Sequence, residues 1–185
     1  MAVTYTLAST ENHLQQILDL QEKNLAESVS EEEAAREGFV TVKHDLELLA
    51  LMNEEFQHAI ALDGDKVVGY ALIMERSLEN TIPILVPMFK AINASIYMEQ
   101  ELAESPYCVM GQVCIDKDYR GKGVFKGLYD ELILQVKPYF AFLITEIDAR
   151  NTRSLRAHEK LDFQHIKTYT SEEGREWVLI TYDLR

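Results

Sequence analysis

The chain has 185 residues, and its formal net charge is −13 because 31 Asp and Glu outweigh 18 Lys and Arg. The length predicts one domain that buries a sizeable core. Hydrophobic and charged fractions of 47% and 26% argue against a disordered or fibrous protein, and a pI near 4.8 disfavours nucleic acid and anionic membranes as partners.

Hydrophobic periodicity in the first half predicts strands where apolar and polar residues alternate, and helices where apolar residues recur every three or four positions. Capping residues mark the helix starts, and a turn dipeptide suited to positive φ separates the strands of a hairpin. The predicted elements are a strand over 3–7, a helix capped by Ser9 or Thr10, a helix from Ser30 to Gly38, a helix opened by Asp45, and hairpin strands 56–62 and 66–75 around Asp63-Gly64.

The second half alternates buried strands with amphipathic helices and ends in a hairpin. The predicted elements are a helix that starts near Pro83, a strand over 107–115, a helix over 122–136, a strand over 140–147, a helix over 151–161, and hairpin strands 166–170 and 176–182. This order predicts an α/β protein with a mixed sheet and helices on both faces.

Cysteine usage and hydropathy bear on the compartment. Cys108 and Cys114 fall on one predicted strand, where six residues span about 20 Å, too far for a disulfide. No apolar run approaches the roughly 20 residues of a bilayer-spanning helix, and the first seven residues lack the pattern of a secretory signal. We therefore expect a reduced, cytoplasmic protein, without a membrane and with no metal site.

The segment from Val113 to Lys126 carries the strongest chemical signal. A buried strand runs into a polar turn and then into a glycine-containing loop that opens a helix, a combination that presents free backbone N–H groups to an anion. Arg120, Lys122 and Lys126 add positive charge, so the segment favours a pyrophosphate. The alternative is a plain surface connector. The dinucleotide pattern G-x-G-x-x-G is excluded because Lys126 occupies its third glycine position.

This segment resembles the main motif of the GNAT superfamily of acyl-CoA-dependent N-acyltransferases. That motif has Arg or Gln, two residues, Gly, one residue, and then Gly or Ala, between a strand and a helix. Arg120 and Gly123 match it, whereas Phe125 stands where a small residue is usual.

A second match to the same family follows downstream, after another predicted strand. Asn151 and Ser154, followed by a helix that ends in Glu-Lys-Leu and Phe163, resemble its Asn, small residue and Tyr-Glu-Lys-Leu-Gly-Phe pattern. His158 replaces the usual Tyr, and Asp162 replaces the usual Gly. Two motifs in order are far more specific than either alone.

The resemblance implies one N-acetyltransferase domain over 1–185, with a mixed, mostly antiparallel sheet of six to seven strands, and acetyl-CoA or a related acyl-CoA as cofactor. The pantetheine is implied to run along the strand, with the pyrophosphate on the loop. The residues implied to bind the cofactor are Val113, Cys114, Ile115, Arg120, Gly121, Lys122, Gly123, Val124, Phe125, Lys126, Asn151 and Ser154. Asn151 is equally suited to capping the helix that follows it.

Family positions also point to two candidate catalytic residues. Acyl transfer needs a deprotonated amine, because an ammonium has no lone pair, and a proton donor helps the thiolate to leave. Glu146 is the implied base and His158 the implied acid; the alternatives are a strand-end carboxylate and a helix histidine without catalytic roles. Cys114 as a nucleophile is disfavoured by its position in a buried strand.

The sequence thus predicts an N-acetyltransferase that transfers an acyl group to a primary amine by direct attack in a ternary complex. The acidic surface favours a cationic acceptor, either a small molecule or a protein amine. The alternative is a non-catalytic CoA-binding module, which the departures at Phe125, His158 and Asp162 favour. The sequence leaves open whether the chain forms a homodimer.

Overall fold

The computed structural model of the chain describes residues 2–25, 28 and 39–185. The predicted helix from Ser30 to Gly38 lies outside the described residues. The helices are α1 (Glu11–Glu22), α2 (Leu46–Met52), α3 (Val86–Asn93), α4 (Val124–Val136) and α5 (Thr152–Glu159). The strands are β1 (Thr4–Leu7), β2 (Ala59–Asp63), β3 (Lys66–Glu75), β4 (Ile96–Tyr97), β5 (Gln100–Glu101), β6 (Tyr107–Ile115), β7 (Phe142–Asp148), β8 (Gln164–Thr170) and β9 (Glu176–Asp183).

Seven strands form a mixed sheet in the order β1-β2-β3-β6-β7-β9-β8. β6 and β7 pair in parallel, whereas the pairs β1–β2, β2–β3, β7–β9 and β8–β9 are antiparallel. The predicted α/β fold class, with a mostly antiparallel sheet of six to seven strands, is confirmed.

The chain divides into two compact units, and β3 and β6 each contribute residues to both. The first comprises Met1–Ile73 and Met110–Val136, and the second Met74–Val109 and Lys137–Arg185. That residues 1–185 act as one domain stays a prediction.

In the first unit, the predicted helix caps are confirmed. The side chain of Thr10 accepts from the N–H of His13, and that of Asp45 accepts from the N–H of Leu48. Each cap satisfies an N–H group that has no acceptor within its own helix.

Helix α4 packs against β1 and β2 in this unit. A Cβ added to Gly127 would lie 2.1 Å from Cζ of Tyr5, so the ring of Tyr5 occupies the space that a side chain would take. This close approach explains a glycine inside a helix, where it costs about 1 kcal/mol relative to alanine.

A buried polar cluster lies beside β6. Gln112 accepts hydrogen bonds from Gln21 (2.9 Å) and from the Tyr70 hydroxyl (2.6 Å), and it donates to the carbonyl of Val42 (2.9 Å). His44 completes the cluster through both the side-chain oxygen and nitrogen of Gln21. The cluster fixes β6 against α1 by hydrogen bonds as well as by apolar packing.

The second unit contains a short hairpin that the sequence did not predict. β4 and β5 pair around Met98 and Glu99, which both adopt positive φ, at 49° and 64°. Non-glycine residues seldom take this conformation.

Helix α3 begins at Val86, slightly later than the predicted start at Pro83, because Pro83–Leu85 forms a 3₁₀ turn.

Fully buried His58 predicts how stability depends on pH. Its Nε2 lies 3.2 Å from the carbonyl of Leu49, and its Nδ1 accepts from the N–H of Ile73, an arrangement that only a neutral ring satisfies. Burial lowers the pKa of His58 to about 3. Because the unfolded chain takes up this proton below its ordinary pKa near 6.5, we expect the free energy of unfolding to fall as pH falls from 6.5 to 4.5, by about 2 kcal/mol from this group.

Urea unfolding at pH 7 and at pH 4.5 measures this loss. The variant His58→Gln should be less stable at pH 7 but should lose less stability on acidification. Equal losses in both proteins would mean that His58 is charged in the folded state.

Candidate active site

The segment predicted to bind an anion lies in the first unit, at the end of β6. The N–H of Asp116 donates to the carbonyl of Val68 (2.9 Å), which extends the attachment to β3 by one residue. The Asp116 carboxylate then accepts from the N–H of Asp118 (3.1 Å) and from Lys66 Nζ (3.2 Å). These bonds fix the short turn Lys117–Tyr119 that leads into the glycine loop.

Two glycines of this loop adopt the left-handed backbone conformation. The φ angles of Gly121 and Gly123 are 72° and 84°, and a Cβ at either position would meet nothing within 4 Å. Glycine is therefore needed here for backbone conformation and not for space. The N–H of Gly127 donates to the carbonyl of Gly123 (3.1 Å), which begins the hydrogen-bond ladder of α4. The N–H groups of residues 124–126 come before this bond and belong to the first turn of the helix. Such groups form an anion site together with the positive end of the helix dipole.

The side chain of Arg120 supports the loop from behind. Its Nε donates to the carbonyl of Ile115 (3.0 Å) and its terminal nitrogen to Oδ1 of Asn24 (2.6 Å). Asn24 in turn donates to the carbonyl of Leu20 in α1 (2.8 Å). The guanidinium thus joins the end of β6 to the segment after α1. Arg120 has this structural role in addition to the cofactor-binding role predicted for it.

The two lysines predicted to attract an anion have different neighbours. Lys122 Nζ lies 5.7 Å from the centre of the Tyr119 ring. Lys126 Nζ lies 2.6 Å from Oδ2 of Asp130, in a pair whose side chains are 64% and 59% exposed. A solvated ion pair of this kind contributes little to stability. An anionic ligand is therefore able to replace Asp130 as the partner of Lys126 with little loss of free energy.

Cys114 places a thiol on β6, the strand predicted to bind pantetheine. Cys114 is buried, and burial raises the pKa of its thiol to about 12. A thiol in this state is a poor nucleophile at neutral pH, in agreement with the interpretation of Cys114 as a core residue. Both cysteines are free.

In the second unit, Glu146 lies on β7 and accepts a hydrogen bond from the Tyr169 hydroxyl of β8. Burial raises the pKa of Glu146 to about 7, although the hydrogen bond from Tyr169 acts in the opposite direction. A carboxyl group with this pKa exchanges protons readily at neutral pH, as a general base must. Sequence reasoning missed Tyr169, because the strand pattern gives no register across β9.

Asp148 fixes the loop between β7 and α5. Its buried carboxylate accepts from the N–H, Nε and terminal nitrogen of Arg150, at 2.7–2.9 Å. Burial alone would raise the pKa of Asp148, but the hydrogen bonds and charge of Arg150, with Arg175, hold it below its usual value. The carbonyl of Asp148 also accepts from the N–H of Asn151 (2.8 Å). The Asp148 carboxylate therefore fixes the loop, and the Asp148 carbonyl positions Asn151, the asparagine predicted to bind pantetheine.

Asn151 and Ser154 form the N-cap of α5. Oδ1 of Asn151 accepts from the N–H of Ser154 (3.1 Å), which confirms the capping interpretation. The cap uses the oxygen of the amide, and the amide nitrogen takes no part in it.

His158 is buried by the way α5 ends. The N–H of Phe163 donates to the carbonyl of His158 (3.2 Å) and that of Asp162 to Glu159 (3.1 Å), the two bonds of a Schellman motif. The ring of Phe163 packs edge-on against the His158 ring at 5.1 Å. Nδ1 of His158 donates to the Ser154 carbonyl (2.8 Å), and burial lowers the pKa of His158 to about 4. The imidazole is therefore neutral at pH 7.

Asp162 occupies the left-handed position of this motif, with φ of 64°. An aspartate tolerates this conformation at a cost that glycine avoids. We expect Asp162→Gly to raise the free energy of unfolding by about 0.5–1 kcal/mol, measured by urea denaturation. Asp162→Ala should lower it, and a stabilising alanine would show that backbone strain at residue 162 is negligible.

The described contacts do not bring Glu146 and His158 together. Tyr182 lies opposite Leu143 in the register, on the face of the β7–β9 pair that Glu146 does not share. The Tyr182 ring contacts Phe163 at 5.6 Å, and Phe163 contacts His158. His158 is therefore linked to one face of these strands and Glu146 lies on the other.

Neither a metal-binding cluster nor a membrane-spanning helix is found among the described residues. Among residues 2–25, 28 and 39–185, no group of three or more His, Cys, Asp or Glu side chains is arranged to hold a metal ion. In the part of the chain that the structure describes, every helix is too short or too polar to span a bilayer.

A mixed sheet, a left-handed glycine turn after a parallel strand, and a helix that begins at this turn are typical of α/β proteins that hold an anionic group at a helix N-terminus. The model of the acetyltransferase (GNAT) family matches residues 14–163, well over half of the chain. The chain therefore belongs to the GNAT family of acetyltransferases, which confirms the resemblance seen in its motifs.

Solved structures of this fold align over nearly the whole chain. NAA60 of Arabidopsis thaliana in complex with acetyl-CoA has a TM-score of 0.69 and 10% identity, covering 98% of this chain and 99% of its own. The yncA protein of Salmonella typhimurium with its cofactor acetyl-CoA has a TM-score of 0.63 and 14% identity, covering 100% and 95%. The ribosomal-protein-S18-alanine N-acetyltransferase of Escherichia coli has a TM-score of 0.63 and 13% identity, covering 99% and 94%. At these identities the likeness is one of fold. A search of curated proteins found no match.

Proposed function

We propose that this protein is a cytoplasmic, single-domain N-acetyltransferase that moves an acetyl or related acyl group from acyl-CoA to a primary amine by direct attack in a ternary complex. The observation that carries the proposal is the loop at residues 120–123, where two left-handed glycines precede the first N–H groups of α4. Family membership and the acetyl-CoA bound to two neighbours of the same fold support the cofactor.

In the first unit, we assign the cofactor's pantetheine to the backbone of Val113, Cys114 and Ile115. The N–H groups from Gly121 to Lys126, which include those of Lys122, Gly123, Val124 and Phe125, hold the pyrophosphate. Arg120 keeps the loop in place through Ile115 and Asn24. Backbone N–H groups suit a diphosphate because they carry partial positive charge and do not lose their protons as pH changes.

In the second unit, the proposal assigns the pantetheine arm to Asn151 and Ser154. The Asn151 amide nitrogen lies outside the cap that its oxygen makes, so it is the atom that donates to a carbonyl of the arm. The loop that carries it is fixed by Asp148 and Arg150.

The chemistry removes two protons from an ammonium acceptor. The first leaves before the attack and frees the lone pair, and the second leaves the nitrogen once it has bonded to the carbonyl carbon and passes to solvent or to the departing thiolate. The amine nitrogen attacks the thioester carbonyl carbon, the C–S bond breaks, and coenzyme A leaves as a thiolate. A lysine-type amine has a pKa near 10.4 and is mostly protonated at pH 7. We assign the base to Glu146, directly or through water, because its pKa of about 7 leaves much of it ionised at neutral pH.

His158 is the acid implied by family position, and its surroundings restrict that role. Its Nδ1–H donates to the carbonyl of Ser154. Because the pKa of His158 is about 4, the imidazole is neutral at pH 7. Proton delivery from His158 therefore means delivery from a neutral imidazole, a weak acid. The thiolate of coenzyme A, with a pKa near 8.5 for such thiols, leaves without full protonation.

A non-catalytic CoA-binding module is the second candidate, and the buried, neutral His158 is the observation that favours it. Release of free thiol from acetyl-CoA, measured against a panel of polyamines, amino acid derivatives and peptides with free amines, separates the two. We expect turnover with a cationic amine, since the chain carries a net charge of −13. Thermal stabilisation by coenzyme A without turnover on any amine would support the binding module. No stabilisation would overturn both.

A further inference from the structure

The side chains of Glu146 and Tyr169 come from strands that are not neighbours. Glu146 is on β7 and Tyr169 is on β8, and β9 lies between them in the sheet. The register pairs Glu146 with Leu179 and Tyr169 with Trp177, two residues earlier on β9. Because partners in an antiparallel pair share a face, and residues two apart do as well, both side chains lie on the same face.

The contact between them is a hydrogen bond in which the Tyr169 hydroxyl donates to Oε2 of Glu146. Both side chains are partly buried. Burial raises the pKa of the Tyr169 hydroxyl, and the negative charge of Glu146 adds to this, so the phenol keeps its proton and acts only as a donor. Both partners sit on strands within a paired sheet, and such elements hold functional groups more precisely than loops do.

The charged groups of this face are either paired with an opposite charge or separated from Glu146 by a residue of β9. Asp148, two residues along β7, is neutralised by Arg150 and Arg175. Lys167 on β8 lies across Leu179 from Glu146 in the register. Asp183 on β9 is paired with Arg185 at 2.7 Å. Among the described residues, the side chain that donates a hydrogen bond to the Glu146 carboxylate is thus a neutral phenol.

The neutrality of this donor has a chemical consequence. An arginine or lysine within about 4–6 Å lowers a carboxyl pKa by 1–3 units and makes the carboxylate a weaker base. A phenol orients the carboxylate through one oxygen while adding no charge. Carboxylate basicity is thus retained together with a fixed geometry.

We propose that Tyr169 is a positioning residue for the general base: its hydroxyl holds Oε2 of Glu146, so that Oε1 accepts the proton removed from the acceptor amine or from a bridging water. This inference rests on the proposed function for its catalytic part, whereas the pairing itself does not. No group is transferred to Tyr169, which keeps its own proton throughout.

The test compares Tyr169→Phe with the unaltered protein in two measurements. The first is titration of the Glu146 carboxyl carbon by NMR in the protein without cofactor, with Glu146→Gln used to assign the signal. We expect the midpoint to rise by about 1 unit, because the variant lacks a bond to the charged form. The second is the pH profile of kcat/KM for the amine found by the thiol-release panel. Its ascending limb should move upward by a similar amount, with about fivefold lower activity at pH 7.

Tyr107→Phe is the matched control, because Tyr107 also donates its hydroxyl within this unit, to Oδ1 of Asn93 (3.1 Å). It should leave the Glu146 midpoint unchanged. In the Glu146→Gln background, Tyr169→Phe should cause no further loss of turnover, since a positioning residue acts only through the group it positions.

An unchanged Glu146 midpoint in Tyr169→Phe would overturn the pairing, even in an active enzyme. A shifted midpoint with an unshifted rate profile would overturn the positioning role. Absence of turnover in the unaltered protein would overturn the proposed function and with it the catalytic role of Tyr169, while the NMR titration would still decide the pairing.

Discussion

Gly123→Asp is expected to bind coenzyme A about 30-fold more weakly than Gly123→Asn, a difference of about 2 kcal/mol. The two side chains have the same shape, and both tolerate the left-handed backbone that residue 123 adopts, with φ of 84°. They differ by one negative charge at the position assigned to the pyrophosphate. Comparing them separates charge repulsion from the strain that any side chain introduces there. Isothermal titration calorimetry measures both affinities.

Pantetheine, which lacks the diphosphate, is the control ligand for this pair. Its affinity should be the same for both variants, and the 30-fold ratio for coenzyme A should shrink as ionic strength rises. Equal affinities for coenzyme A in two folded variants would show that the diphosphate lies elsewhere, and the assignment of residues 121–126 would fail.

The features predictable from the sequence are local ones. The bounds of β6 agree with the predicted strand over 107–115, and the caps at Thr10 and Asp45 depend on side chains that bond N–H groups three residues away. The glycine loop belongs to the same class, because positive φ at Gly121 and Gly123 is a property of the residue type.

Features that depend on pairing between distant segments were not predictable. Arg120 finds Asn24 across 96 residues, and Tyr169 reaches Glu146 only because β9 aligns the two strands. Periodicity reports which face of an element is apolar but not which strand lies beside it. A polar residue on a strand therefore has no identifiable partner until the register is known.

His158 illustrates a limit of motif matching. Its position in the family pattern implies a catalytic acid, whereas its surroundings in the fold are those of a packing residue. The same motif contains the explanation, since Asp162 in the left-handed position ends the helix and brings Phe163 against the imidazole. The burial of His158 thus follows from the way this helix ends, which the residue type at position 158 does not reveal.

Glu146→Gln is expected to lower kcat at pH 7.5 by about 100-fold or more, since general-base catalysis contributes factors of this size. The amide keeps an oxygen to accept from Tyr169, so the surroundings of residue 146 are conserved while the basic group is lost. The ascending limb of the pH profile, expected near pH 7 from the pKa of Glu146, should disappear with it. Measurement of kcat and KM for acetyl-CoA from pH 6 to 9 tests both, and the KM should be unchanged.

The same substitution should stabilise the protein at alkaline pH. A carboxyl group whose pKa rises from 4.5 in the unfolded chain to about 7 in the folded one contributes stability below pH 4.5 that is lost as pH rises through 7. Since glutamine does not ionise, Glu146→Gln should exceed the unaltered protein by about 3 kcal/mol in unfolding free energy at pH 8, and the two should converge below pH 4.5. Glu176→Gln, at an exposed glutamate of the same sheet, should change neither turnover nor stability. A Glu146→Gln variant with full activity would remove Glu146 from the mechanism, and one with no gain in stability at pH 8 would show that the carboxyl group is not held in a desolvated site.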